Sequence, residues 1–211
     1  MNAPVAAPEV SILLAHPENR EPNAFTQAEL GWLPALAPLA VEALTDRHYE
    51  GLTERSRAQS AYFRLLVRDP DVLGARTRTD KDIFYNSDGG LPRAERELAA
   101  TAVSRVNGCI FCASVHARFA TRHSGRGEEI DRLLQDGVSV DLGSRWNAVT
   151  AAAERLTRTP TAFDAQDVRN LRDVGLRDDE VADFVFASAF FNWANRLMLS
   201  LGEPEGQRAN G

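Results

Sequence analysis

The chain contains only two cysteines, Cys109 and Cys112, three residues apart. His116 follows Cys112 by four residues, and Glu97 precedes Cys109 by twelve. This residue set can do thiol chemistry. A cysteine near the start of a helix meets free backbone N–H groups and the positive end of the helix dipole, and both favour a thiolate. The thiolate is the form that attacks a peroxide or a disulfide, and a second thiol one turn away can resolve a sulfenic acid into an internal disulfide. A histidine four residues beyond a cysteine is its neighbour on the helix surface and can serve as base or proton shuttle. Glu97 sits one helix earlier, where folding back would let it orient or charge His116.

At 100° per residue, Cys109, Cys112, His116 and His123 share an arc of roughly 60° on one helix. The other stripe, Phe111, Val115 and Phe119, is suited to core packing. Competing readings are plainer. Structural zinc needs four ligands, and Cys109, Cys112 and His116 supply three without a second cysteine pair. No metal and no cofactor are therefore expected. Glu97 alone would read as a solvated helix face, and His123 as a weaker member of the group. His16 and His48 have no chemical neighbours in the sequence and read as surface residues.

The elements that must position these residues are helical. Residues 1–25 carry Pro4, Pro8, Pro17 and Pro22 with little periodicity and read as an N-terminal arm. Residues 26–211 read as a single all-helical domain with its core at about 55–135. Thr26 and Glu29 form a capping-box candidate for a first helix. Ala58, Ala61, Tyr62, Leu65 and Leu66 make an amphipathic stripe, which Asp69-Pro70 ends, and residues 71–86 continue as a helix. Ser87 to Gly90 is a loop and Pro92 a first-turn residue. Leu91, Ala94, Leu98, Ala102 and Val106 share a face. Asn107-Gly108 breaks the run just before the cysteines. Further helices follow around Ile130, around Trp146, over 164–174, and from Asp178 or Asp179 onward. No convincing period-2 strand is visible, so the fold class is all-α, with seven to nine helices.

Composition narrows the function. Net charge is −6 and no Lys/Arg-dense run offers a phosphate-binding stripe, which argues against nucleic acid. Met1 to Val10 lacks a basic and then apolar leader, so no signal peptide is expected, and a lone Cys-x-x-Cys then points to a cytoplasmic protein. Val181 to Leu201 is strongly apolar, but Asp183, Asn192, Asn195 and Arg196 interrupt it. A charge inside a span is costly, so it reads as a buried helix or a subunit interface and not as a membrane anchor. Asn192 and Arg196 are one turn apart and read as a hydrogen-bonded packing network.

Glu97, Cys109, Cys112 and His116 in this order and spacing resemble the signature of the alkylhydroperoxidase D-like branch of the carboxymuconolactone decarboxylase superfamily. The Asn192-Trp193-Ala194-Asn195-Arg196 run resembles the tail of its peroxidase-related subfamily. The resemblance implies an all-helical bundle that associates as trimers or hexamers. It implies a peroxidase in which Cys112 attacks the hydroperoxide, Cys109 resolves, and Glu97 and His116 relay protons. It also implies a lipoyl or thioredoxin-type reductant and no metal or haem. One position departs: the best-known alkylhydroperoxidase has a histidine between its cysteines, where this chain has Phe111. The leading expectation is a thiol-dependent peroxidase or disulfide reductase acting on organic hydroperoxides in antioxidant defence. Two rivals are a lactone-branch lyase using His116 and Glu97 as acid and base, and a non-catalytic redox-sensing oligomer.

Overall fold

In α3 (Pro70–Tyr85), Asp69 accepts a hydrogen bond from the Val72 N–H and so caps the helix, and Pro70 takes the first turn, where its missing N–H costs nothing. The other helices of the computed structural model, which describes residues 13–206, are α1 (Asp46–Leu52), α2 (Ala61–Leu66), α4 (Arg93–Asn107), α5 (Ile110–Ser124), α6 (Gly127–Asp136), α7 (Ser144–Thr157), α8 (Ala165–Asp173) and α9 (Asp178–Leu201). The fold is all-α, as the periodicity predicts.

Two expectations fail at the N-terminal side. Residues 26–40 form no α-helix. Thr26 Oγ1 accepts from the Ala28 N–H in a local turn instead of opening a capping box. Pro34 and Pro38 explain why helix gives way here. A short strand, β1 (Gly31–Pro34), pairs antiparallel with β2 (Gly202–Glu205), Trp32 opposite Pro204, so the described residues include a small ribbon that no alternating pattern announced. Four residues are too few for a period-2 signal. The described part of the arm lies against this ribbon: the Leu14 N–H bonds to Ala35 O, and Asn19 Nδ2 bonds to Glu203 and to Pro204 O. Residues 1–12 of the expected arm lie outside the described residues.

The central helix is α4, packed against α5, α7 and α9. Its Leu98, Ala99, Ala102 and Val103 are fully buried in the main core with Ile130, Leu133, Val149, Leu171 and Phe184. Against α4, helix α5 presents Ala113, Ala117 and Ala120, all at 0% exposure. Small side chains let the two helices approach closely. Phe111, Val115 and Phe119 lie off the main core and border a cavity on the neighbouring face, Phe111 also packing on the small cluster of Cys109, Cys112 and Met198.

The polar residues of α9 are built into the packing. Asp183 accepts from the Leu91 N–H, and Asn107 Nδ2 donates to both Asn192 and Asn195 at 3.0 Å. Arg196 donates to Thr159 Oγ1. Among the described residues no helix is long and apolar enough to cross a membrane.

The α4–α5 turn sets up everything that follows. Gly108 is left-handed at φ 77°, and the Cys109 N–H bonds to Ser104 O at 2.9 Å, which closes the end of α4. Cys109 then caps α5, its carbonyl taking the Ala113 N–H at 2.9 Å. A Cβ at position 108 would meet no neighbour, so the cost of adding one is backbone strain alone. Gly108→Ala is expected to destabilise by about 1–2 kcal/mol, lowering the melting temperature by roughly 2–8 °C. Thermal unfolding followed by circular dichroism checks this, and an unchanged midpoint would contradict it.

Candidate active site

The paired helices bring four sequence-predicted residues to one place. Glu97, in the second turn of α4, is 1% exposed. Its Oε1 accepts from Arg93 Nε at 3.1 Å, and its Oε2 meets His116 Nδ1 at 2.6 Å. A carboxylate acceptor at Nδ1 fixes the ring proton there and leaves Nε2 as the free nitrogen. Two rings confine the imidazole: Phe191 lies at 3.9 Å, steeply inclined to it, and Phe84 at 5.3 Å, tilted, between centroids. Phe84 and Phe191 also touch each other edge to face, so the imidazole has little room to turn.

Both cysteines are free thiols and buried. Cys112 shares a hydrogen bond with Cys109 that holds Cys109 below the ordinary cysteine range despite burial. The same bond, together with burial, pushes Cys112 well above that range. A hydrogen bond with Asn195 and the charge of Arg76 pull Cys112 the other way. The pair thus holds one proton between two sulfurs: the first ionises early and the second late.

Cys112, Glu97 and His116 line one cavity of about 450 Å³. Its walls are mainly aromatic, with Trp32, Tyr62, Phe84 and Phe119 among them, and Arg76 and Asp80 add charge. Cys109 does not face it. Cys109 borders a separate space of about 60 Å³ beneath the ribbon, with Gly202 and Pro204. The shared arc predicted for the thiols and imidazoles fails at this residue, because Cys109 precedes the helix, at φ −83° and ψ 88°, and the 100° step does not apply to it.

The remaining histidines stand elsewhere. His123 is exposed in the last turn of α5. His16 Nε2 bonds to Pro34 O at 2.8 Å, and His48 accepts from the Thr45 N–H. Both have partners, contrary to their reading as isolated surface residues. Among the described residues no group of three or more His, Cys, Asp or Glu side chains could hold a metal.

Sequence reasoning missed Tyr62 and Arg76, which approach Cys112 from α2 and α3, and gave Asn195 no role beside the thiols. Asn195 is 0% exposed; its Nδ2 donates to Ser104 Oγ, and it also reaches Cys112. The signal for Asn195 was its place inside an apolar helix. For Tyr62 and Arg76 the sequence held none.

Residues 70–155 match the model of the carboxymuconolactone decarboxylase family. The fold is similar to the crystal structure of an uncharacterized peroxidase-related protein with an alkylhydroperoxidase AhpD core from Ralstonia eutropha JMP134, at TM-score 0.67 and 22% identity over 92% of this chain and 95% of that one. A peroxidase-related protein from Silicibacter sp. TM1040 aligns at TM-score 0.60 and 24% identity, covering 70% of this chain and 77% of that one. The debrominase Bmp8 aligns at 0.59 and 17%, covering 78% and 88%, and a cysteine-to-alanine variant of that enzyme has been solved with 2,3,4-tribromopyrrole. No curated protein matches in sequence. The chain thus has the alkylhydroperoxidase D-like fold, and its residues 70–155 are similar to the carboxymuconolactone decarboxylase family.

The shared proton generates a pH prediction. The hydrogen bond from Cys112 lowers the Cys109 value. Cys112→Ala removes that donor, so the Cys109 midpoint must rise toward the ordinary cysteine range near 8.5. Thiolate absorbance near 240 nm against pH reads it. A midpoint that stays put or falls would show that the two sulfurs do not share the proton.

Proposed function

We propose that this protein is a thiol-dependent peroxidase that reduces organic hydroperoxides in antioxidant defence. The observation that carries the reading is that a free thiol, Cys112, and a carboxylate-bound imidazole, His116, open onto the same aromatic cavity. As Cys112 attacks the terminal peroxide oxygen, its proton passes to His116 Nε2. An S–O bond forms, the O–O bond breaks, and the alkoxide takes that proton from the imidazolium to leave as an alcohol. The Cys109 thiolate then attacks the Cys112 sulfenic acid: the S–S bond forms, the S–O bond breaks, and the departing hydroxide takes a proton from solvent to leave as water. A lipoyl or thioredoxin-type dithiol returns the disulfide to two thiols and is itself oxidised. Glu97 holds the His116 tautomer and stabilises the imidazolium.

Phe111, which stands between the cysteines, borders both the cavity and the small space at Cys109. It supplies apolar wall where a histidine would supply a proton carrier, which leaves the relay to His116 and Glu97. Free thiols suit a reducing compartment, and the cytoplasm is the proposed location.

The exposed face of α9 supports a homo-oligomer. Phe186, 62% exposed, and Trp193, 40% exposed, lie two turns apart on one side of the helix, with Ala182 and Ala189 between and beside them. A second copy of the chain, in a trimer or hexamer, is the proposed cover.

Two measurements test the chemistry. One equivalent of cumene hydroperoxide should remove both thiols together, while Cys112→Ser should keep its remaining thiol and lose turnover. Full turnover by Cys112→Ser would refute the assignment. His116→Asn and Glu97→Gln should each slow peroxide consumption by about 10²- to 10⁴-fold, with the dithiol still present. A double Cys→Ala variant that stays active on a lactone acid would point to the acid–base lyase instead.

For the assembly, Phe186→Asp should shift the species seen by light scattering to a smaller mass. A wild-type chain that runs as a monomer would contradict the proposed interface.

A further inference from the structure

Four buried side-chain polar atoms among the described residues have no hydrogen-bond partner: Tyr62 Oη, Arg64 Nε, Arg76 Nε and Ser188 Oγ. Tyr62 and Arg76 both belong to the wall of the Cys112 cavity. A buried donor without an acceptor costs about 1–3 kcal/mol, so two beside one cavity call for a cause. They are also close to each other and to the thiol: Arg76 interacts weakly with the Tyr62 phenol, short of a well-formed hydrogen bond, and its charge acts on Cys112 as well.

Neighbouring groups leave these donors unused. The Arg76 side chain is 9% exposed and meets Asp80 only through Nη1, at 3.5 Å, a long single contact one turn along α3. Asp80 offsets part of the charge but leaves Nε unpaired. The guanidinium also lies 5.2 Å from the Phe190 ring centroid, which accepts no N–H in the ordinary sense. Burial raises the Tyr62 phenol to about 12, so it keeps its proton at any working pH. The rest of the wall is largely aromatic, with Phe63, Phe84, Phe111, Phe119 and Phe191; its other carboxylate besides Asp80, Glu97, is already bonded to Arg93 and His116.

We propose that Tyr62 and Arg76 form an oxyanion-binding site in the wall of this cavity, and that its ligand is an apolar, ring-sized molecule bearing an anionic oxygen such as a carboxylate. Two donors converging in an apolar enclosure are the usual form of a polar recognition point within a ligand pocket. A guanidinium binds an oxyanion more strongly there than at an open surface, because less water competes. As a statement about the peroxidase's substrate this rests on the preceding reading; as a statement about binding it does not.

Binding without turnover separates the two. Reduced wild-type protein is titrated without oxygen with trans-cinnamate and, in parallel, with neutral trans-cinnamamide. Calorimetry gives the affinities, and quenching of Trp32 in the cavity wall reports the location. Cinnamate is expected to bind at least tenfold more tightly than the amide. Arg76→Gln should abolish that ratio, and Tyr62→Phe, which removes only the hydroxyl, should narrow it several-fold. Should Arg76→Gln fail to fold, Arg76→Lys must retain part of the preference while Tyr62→Phe reduces it. Equal affinity for acid and amide, or a ratio untouched by Tyr62→Phe and the Arg76 variant, overturns the site even if cumene hydroperoxide is still consumed. A protein that prefers cinnamate yet consumes no peroxide keeps the site and loses the peroxidase reading.

Discussion

A carboxylate shut away from water must be matched by positive charge or strong hydrogen bonds, and the candidate site depends on how Glu97 meets that demand. At 1% exposure it lies between Arg93 on its own helix and His116 on the next. The 2.6 Å contact with His116 therefore does two jobs. It satisfies a buried charge, which ties α4 to α5. It also fixes the orientation of the imidazole at the cavity wall. Removing His116 leaves Glu97 with Arg93 alone, and removing Glu97 strips the imidazole of its Nδ1 partner, so either change disturbs the packing of α4 on α5.

Closeness of the two helices makes the contact possible. Ala113, Ala117 and Ala120 let α5 lie close against α4, and left-handed Gly108 reverses the chain without a linker. That short reversal also strands Cys109 just outside α5, where it borders a different space from Cys112. The dithiol consequently has two sides: one toward the aromatic cavity and one toward the ribbon of β1 and β2. In the proposed peroxidase, Cys112 is the sulfur on the substrate side.

Most helices were legible in the sequence because their boundaries carry strong local chemistry. Asp69-Pro70, Asn107-Gly108 and Asp164 each mark an end that the structure shows. The link between Glu97 and His116 was legible as well, since a helical break between them implies a hairpin. What stayed hidden depends on distant contacts. The ribbon pairs residues 31–34 with 202–205, a partnership with no local signature. The aromatic stripe of α5 read as core because hydrophobicity does not distinguish a packed face from a cavity wall. The alanines that do pack are too small to stand out. Tyr62 and Arg76 reach the thiols from helices that carry no motif, so only the fold reveals them.

The central claim is that Cys112 is the sulfur that meets the peroxide. Trapping the first intermediate tests it most directly. Cys109→Ser protein, with no resolving thiol, is mixed with one equivalent of cumene hydroperoxide and dimedone, then digested and mapped by mass spectrometry. The account predicts a dimedone adduct on the Cys112 peptide, and none in Cys112→Ser protein treated alike. An adduct on Cys109 in that second protein, with an unlabelled Cys112 in the first, would contradict it.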